Sequence, residues 1–218
     1  MEKKPNISPI SQNHIDKNGV DLLISKLESQ GIKDKKVLDV IRSIPRELFV
    51  KEELKKDSYD NRPLPIGYGQ TISQPYIVAY MSEKLELSEK DIVLEVGTGS
   101  GYQTAVLAKL VKKVFTVEII EHLGLEAKRR LSSLGLSNIF YKIGDGKKGW
   151  KEYSPFNKII ITAGAQKNVP DSILNQLAEN GILIAPVGDS LQYLYIFKKE
   201  NGKIKKYRDI PVSFVPLV

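Results

Sequence analysis

The stretch Asp91–Leu110, DIVLEVGTGSGYQTAVLAKL, decides the fold. Asp91–Val96 is a short apolar run that reads as a buried strand, and Thr104–Leu110 reads as a helix. Between them stand Gly97, Gly99 and Gly101. A strand that turns into a helix through such a loop brings bare backbone close to a ligand. Side chains with a Cβ would obstruct that approach, and positive φ is open to glycine. Glycines at such a turn can also serve packing alone, and the pattern by itself leaves that open. A dinucleotide fingerprint, G-x-G-x-x-G, begun at Gly97 would place its last glycine on Tyr102, so that match fails.

Downstream, short apolar runs alternate with helical stretches. Lys113–Ile119, Asn138–Ile143, Asn157–Thr162 and Ile182–Val187 read as strands. His122–Gly135 and Ser172–Asn180 read as helices. This alternation predicts βαβ units and a parallel sheet buried on both faces. The end differs: Leu191–Glu200, then Asn201-Gly202, then Lys203–Val218 predict an antiparallel hairpin. Upstream, Val20, Leu23, Ile24 and Leu27 form one apolar helix face, and Val37, Val40, Ile41 and Ile44 form another. A short helix is expected over Arg46–Leu54 and an irregular segment over Lys56–Ser73. Another helix opens at Pro75, with Ile77, Val78, Met81 and Leu85 facing inward. The expectation is an α/β doubly wound, Rossmann-like sheet, mostly parallel, with a C-terminal hairpin and N-terminal helices. It forms a single domain over 1–218, with residues 1–88 as a helical layer ahead of a core over 89–218.

Composition narrows the chemistry. The chain has no cysteine, so thiolate nucleophiles and cysteine metal sites are excluded. Its two histidines, His14 and His122, lie far apart and outside any spaced ligand motif. This argues against a metal site and against a Ser-His-Asp hydrolase. The net charge of +7 comes from lysines scattered in pairs beside many glutamates, not from a dense basic arm. That pattern is a solvated surface and argues against a nucleic-acid partner. No apolar run approaches the ~20 residues of a membrane span, and Met1–Ile10 has no signal-peptide core. A cytoplasmic protein is expected.

Three carboxylates follow the first three strands of the core in order. Glu95 precedes the glycines, Glu118 ends the second strand, and Asp145 stands with Gly146 just after the third. Each has an ordinary reading: Glu118 as a solvated strand end, Asp145 as an Asp-Gly turn. Their joint placement is stronger, because ligands of such sheets sit at the carboxyl ends of the strands.

The motif from Glu95 to Gly101 resembles the first motif of S-adenosylmethionine-dependent methyltransferases. The nitrogen-methylating stretch expected after the fourth strand is replaced by Ile161–Pro170, ITAGAQKNVP. Together, Ile44–Val50, Tyr59–Met81, Val93–Ala108, Gly144–Trp150, Asn157–Ala165, Asn168–Gly188 and Val212–Leu217 resemble the protein-L-isoaspartate O-methyltransferases. The glycine turn is shared widely among methyltransferases, whereas the GQTIS segment (Gly69–Ser73) and the closing VSFVPL (Val212–Leu217) are particular to this family.

The resemblance implies a repair enzyme. It methylates the α-carboxylate of L-isoaspartyl residues in damaged proteins, releasing S-adenosyl-L-homocysteine, and the ester then closes to a succinimide unaided. It implies that Glu95, Gly97, Thr98, Gly99, Gly101, Glu118, Asp145 and Gly146 hold the cofactor. Ser73 matches the family's active-site serine, expected to donate to the substrate carboxylate. Its ordinary reading is the N-cap of the helix that follows. Gln70 and Thr71 are secondary candidates, Leu64, Pro65 and Ile66 an expected wall for the peptide, and Val212 an expected edge beside it. A carboxylate is already ionised at neutral pH, so neither a general base nor a metal is expected. The alternative is a methyltransferase acting on RNA or a small molecule.

Overall fold

The computed structural model describes residues 16–217; His14 lies outside them. Two helices open the described chain, α1 (Lys17–Ser29) and α2 (Lys35–Ser43). Asp16 and Asp34 cap them, each accepting from backbone N–H groups of the first turn. Val20, Leu23, Ile24 and Leu27 are all buried, as their spacing predicts. Burial of each such side chain is worth about 1.5–3 kcal/mol.

Two sequence expectations fail before the core begins. Arg46–Leu54 is not an α-helix but part of two 3-10 turns, Arg46–Phe49 and Glu52–Asp57. Pro45 starts the first turn, and the Arg46 side chain is drawn inward to backbone carbonyls rather than along a helix face. The end of the supposedly irregular segment is a hairpin, β1 (Leu64–Gly67) and β2 (Gln70–Ile72). Leu64 pairs with Ile72 and both are buried, which pins the register. Strands this short leave too few residues for an alternating pattern to show. The tip turns through Gly67, Tyr68 and Gly69, all with positive φ. Helix α3 (Pro75–Lys84) follows.

The core runs β3 (Ile92–Val96), α4 (Tyr102–Leu110), β4 (Lys113–Glu118), α5 (Glu121–Ser133), β5 (Ile139–Ile143) and β6 (Phe156–Ile161). It ends with the short α6 (Asp171–Leu174), β7 (Leu177–Val187), β8 (Gln192–Glu200) and β9 (Lys203–Val212). The sheet order is β5-β4-β3-β6-β7-β8-β9, parallel through β7 and antiparallel thereafter. The β8–β9 turn is Asn201-Gly202, both in the left-handed region, as a two-residue hairpin of this type requires. From β3 the chain steps outward to β4 and β5, then returns to lay β6 on the other side of β3. The carboxyl ends of β3 and β6 therefore open a crevice at the point where strand order reverses.

Alternation along the strands feeds two cores. Val93 and Ile160 point into the layer packed by α1 to α5. Leu94, Val96, Ile159 and Ile161 point into the opposite layer, with Phe115, Phe156 and Ile173. Ser172–Asn180 is a further correction: only Asp171–Leu174 is helical and β7 begins at Leu177. Gln176 explains the break. Its amide donates to the carbonyls of Lys148 and Ser172 and accepts from Trp150 N–H, a long-range anchor that outweighs local helix propensity. Among the described residues no helix is long and apolar enough to cross a membrane.

Candidate active site

A cleft open to solvent lies at the switch point, the usual place for ligands of such sheets. One wall is the loop after β3, Val96–Ser100, with Val117–Ile120 after β4 and Gly146 after β5. The other is Gln70–Ser73, at the end of the hairpin, with Val215–Leu217. Thr162 and Ala163, after β6, lie between them in the chain's path.

Gly97 has φ +100°, and a Cβ built there would lie 2.4 Å from Thr162 Oγ1. No side chain fits that position, so backbone forms the wall. Thr162 fastens this loop, its hydroxyl lying 3.0 Å from the Val96 carbonyl and 2.6 Å from that of Gly97. Thr98 and Gly99 also line the cleft. Gly101 does not: it precedes α4, and a Cβ there would press on Leu131 and Ala127 of α5. Its place is in packing α4 against α5.

Glu118 lines the cleft, its two oxygens accepting from the N–H groups of Gly99 at 2.8 Å and Ile120 at 2.9 Å. Each carboxylate oxygen has a second lone pair, so the side chain retains acceptor capacity for vicinal hydroxyls. Glu95 takes a different place from the one its motif suggests. It is fully buried beneath the loop and outside the cleft lining. Its Oε2 accepts from Thr104 at 2.5 Å and Thr116 at 2.7 Å. Because Thr116 gives its one proton to Glu95, Thr98 is the donor in the 2.6 Å contact with Thr116. Burial pushes the Glu95 carboxyl up to about 8, against the pull of the two donating threonines. Burial thus favours the neutral acid in this brace behind the loop. Asp145 is also outside the cleft lining and accepts from Lys147 N–H at 2.9 Å as the cap of a 3-10 turn, while Gly146 lines the cleft.

On the opposite wall, Ser73 lies between β2 and α3. Gln74, not Ser73, is the N-cap residue of α3; its own side chain makes no cap bond, and Asn61 Oδ1 accepts from the first-turn Tyr76 N–H at 2.9 Å. Ser73, Gln70 and Thr71 all line the cleft. A second cavity adjoins it, lined by Pro63, Gln74, Ile77, Pro211, Val212 and Phe214, among others. Thr71, Ser73, Thr162 and Val215 line both cavities. Of the expected wall of Leu64, Pro65 and Ile66, the place of Leu64 is corrected. Leu64 is in the core, Pro65 is exposed outside both cavities, and Ile66 faces the glycine loop near Gly99. Pairing of Leu64 with Ile72 fixes which way each of the three points.

Thr162 and Ile77 were not singled out from sequence as site residues. A hydroxyl residue closing a buried strand at the switch point, as in NKIIIT, is the signal that could have marked Thr162.

The cleft fits S-adenosylmethionine: backbone approach at Gly97, spare acceptors on Glu118, and apolar Val117, Ile119 and Ile120 beside them. This fold and site define the class of adenosylmethionine-dependent methyltransferases. The family model described as protein-L-isoaspartate(D-aspartate) O-methyltransferase matches residues 18–218. The protein-L-isoaspartate O-methyltransferase of Dictyoglomus turgidum is 50% identical over 196 residues, 89% of this chain and 89% of that one. That of Vibrio cholerae is 54% identical over 198 residues, 91% of this chain and 95% of that one. A Plasmodium falciparum structure described as this enzyme in complex with S-adenosyl-L-homocysteine superposes with a TM-score of 0.80 at 28% identity, covering 90% of this chain and 97% of that one. The chain belongs to the protein-L-isoaspartate O-methyltransferase family.

Proposed function

We propose that this protein transfers a methyl group from S-adenosyl-L-methionine to the α-carboxylate of L-isoaspartyl residues in damaged peptides and proteins. Residues 1–218 act as one methyltransferase unit in the cytoplasm, the compartment that the sequence reading expects. The observation that carries the site assignment is the set of residues shared by the two cavities: Thr71, Ser73, Thr162 and Val215. A nucleophile entering from one cavity meets a cofactor held in the other at those four residues.

When bound, the cofactor supplies an electrophilic methyl carbon on a sulfonium that is already a good leaving group. Gly97, Thr98, Gly99, Glu118 and Gly146 would hold it, with Glu118 accepting from the ribose hydroxyls. Ser73 donates its hydroxyl hydrogen to the substrate carboxylate and fixes its orientation, with Gln70 and Thr71 beside it. A neutral donor suits this task, because an ion pair would hold the attacking oxygen too firmly. Ile77, Val212 and Phe214 flank the peptide and exclude water from around the carboxylate. No proton need be removed from an ionised carboxylate, so alignment of the reacting atoms is the protein's main contribution.

The test is methyl transfer from labelled S-adenosylmethionine to a short L-isoaspartyl peptide beside its L-aspartyl twin. Transfer to the first alone is expected. Transfer to neither, with cofactor binding intact, overturns the assignment.

A further inference from the structure

Arg46 is one of the most deeply buried large side chains, 1% exposed. The adjacent carboxylate, Glu47, accepts from the Tyr59 hydroxyl. The guanidinium instead donates from Nε to the Ser58 carbonyl at 2.7 Å and from Nη2 to the Ser73 carbonyl at 2.9 Å. Its Cζ lies 4.7 Å from the centre of the Tyr102 ring, and Nη1 has no hydrogen-bond partner. Burial lowers its pKa to about 10, so it remains a cation at neutral pH. Holding a buried cation on two carbonyls and a ring is costly. An apolar residue would cover the same core at lower cost.

The two contacts reach opposite walls of the cleft. Ser73 belongs to neither the β1–β2 ladder nor α3, so its carbonyl has no regular partner in either element. Tyr102 is the first residue of α4, directly after the glycine loop, and it also lines the cleft. Fixing the Ser73 carbonyl restrains the peptide plane that follows its Cα, and so limits how the Cα–Cβ bond that carries the hydroxyl can swing.

We propose that Arg46 is a positioning residue for methyl transfer. It holds Ser73 from behind at a set distance from the wall that carries the cofactor, so the serine hydroxyl is aligned before substrate arrives. The inference rests on the proposed isoaspartyl reaction for its kinetic arm, while its structural arm stands apart from it.

The experiment compares wild type with Arg46→Lys, which keeps the charge but cannot fork between two carbonyls. Three quantities are read: kcat and KM with an L-isoaspartyl peptide, Kd for S-adenosyl-L-homocysteine by calorimetry, and amide hydrogen exchange over Ile72–Tyr76. Loss of one charged hydrogen bond predicts a fall in kcat of roughly ten- to a hundredfold. Peptide KM and adenosylhomocysteine Kd should change by less than about threefold, a split expected when alignment alone is lost. Exchange over Ile72–Tyr76 should speed up at least about tenfold, as for a locally loosened segment. If Arg46→Lys does not fold, Arg46→Met, which leaves no buried charge behind, is read by the same criteria. A lowered melting temperature with unchanged kcat and unchanged exchange overturns the proposal and leaves Arg46 as a weld of the fold. If wild type itself methylates no isoaspartyl peptide, the reaction assignment falls, and the exchange result alone decides for or against Arg46.

Discussion

The two walls of the cleft are built in different ways. The cofactor wall comes from short contiguous stretches, Val96–Ser100 and Val117–Ile120, each at the end of a parallel strand. The acceptor side gathers Gln70–Ser73 from the end of the hairpin and the residue after it, Thr162 from just after β6 and Val212–Val215 from the end of β9 onward. The first wall presents bare backbone at Gly97 beside the Glu118 side chain, whereas the second presents mostly side chains. A local turn motif can carry a whole binding wall, whereas a site for a peptide carboxylate has to be assembled by the tertiary fold.

The strongest way to break this contrast is at Gly97. An alanine there must hold φ near +100° and place its Cβ against Thr162 Oγ1. Strain of roughly 2–5 kcal/mol is expected from the backbone and the overlap together. Shifting the loop relieves it, so affinity for S-adenosyl-L-homocysteine should collapse, as measured by calorimetry. Binding equal to wild type would show that the cofactor wall does not depend on bare backbone.

Ser73→Ala tests the other wall. Losing one hydrogen bond to a charged group should cost ~1.5–3 kcal/mol in kcat/KM for the isoaspartyl peptide, with cofactor affinity unchanged. If cofactor affinity fell as far as turnover, the two walls would not be separable. Thr162→Val is expected to fall between them. Its hydroxyl ties β6 to the carbonyls after β3 and its side chain lines both cavities. Both cofactor affinity and peptide turnover should decline, each by about 0.5–1.5 kcal/mol, and Thr162→Ser should restore both.

The same contrast explains what the sequence could reveal. The parallel sheet, its helices and the closing hairpin were legible because apolar period and turn chemistry are local signals. That Gly97, Gly99 and Glu118 share one cleft was legible for the same reason. The motif could not distinguish residues that line the cleft from those that do not: Glu95, Asp145 and Gly101 share the pattern but lie outside its lining. Leu64 was misplaced because a one-residue step along a strand changes face, and the register came from the long-range Leu64–Ile72 pair. The helix expected through Gln176 was lost to side-chain bonds with Lys148 and Trp150, distant in sequence. Ser73 was legible only through family resemblance. Its N-cap reading was locally reasonable, and the fold moved the cap to Gln74.

The last prediction concerns the brace behind the cofactor wall and is read on stability, not on binding or turnover. Glu95 has a folded-state pKa of about 8 against an ordinary 4.5, raised chiefly by burial. In the unfolded chain it loses its proton at lower pH than in the folded one. Between these two values the folded state therefore binds more protons, and stability falls as pH rises. Glu95→Gln keeps an acceptor for Thr104 and Thr116 but cannot ionise. Melting curves between pH 6 and 7 should show wild type losing about 1 kcal/mol per pH unit relative to the glutamine variant. The difference should vanish below about pH 4, where the acid is protonated in both states. Parallel pH profiles for the two proteins would mean that Glu95 is ionised in the fold. The cofactor wall would then rest on a buried charge, as the acceptor wall rests on Arg46.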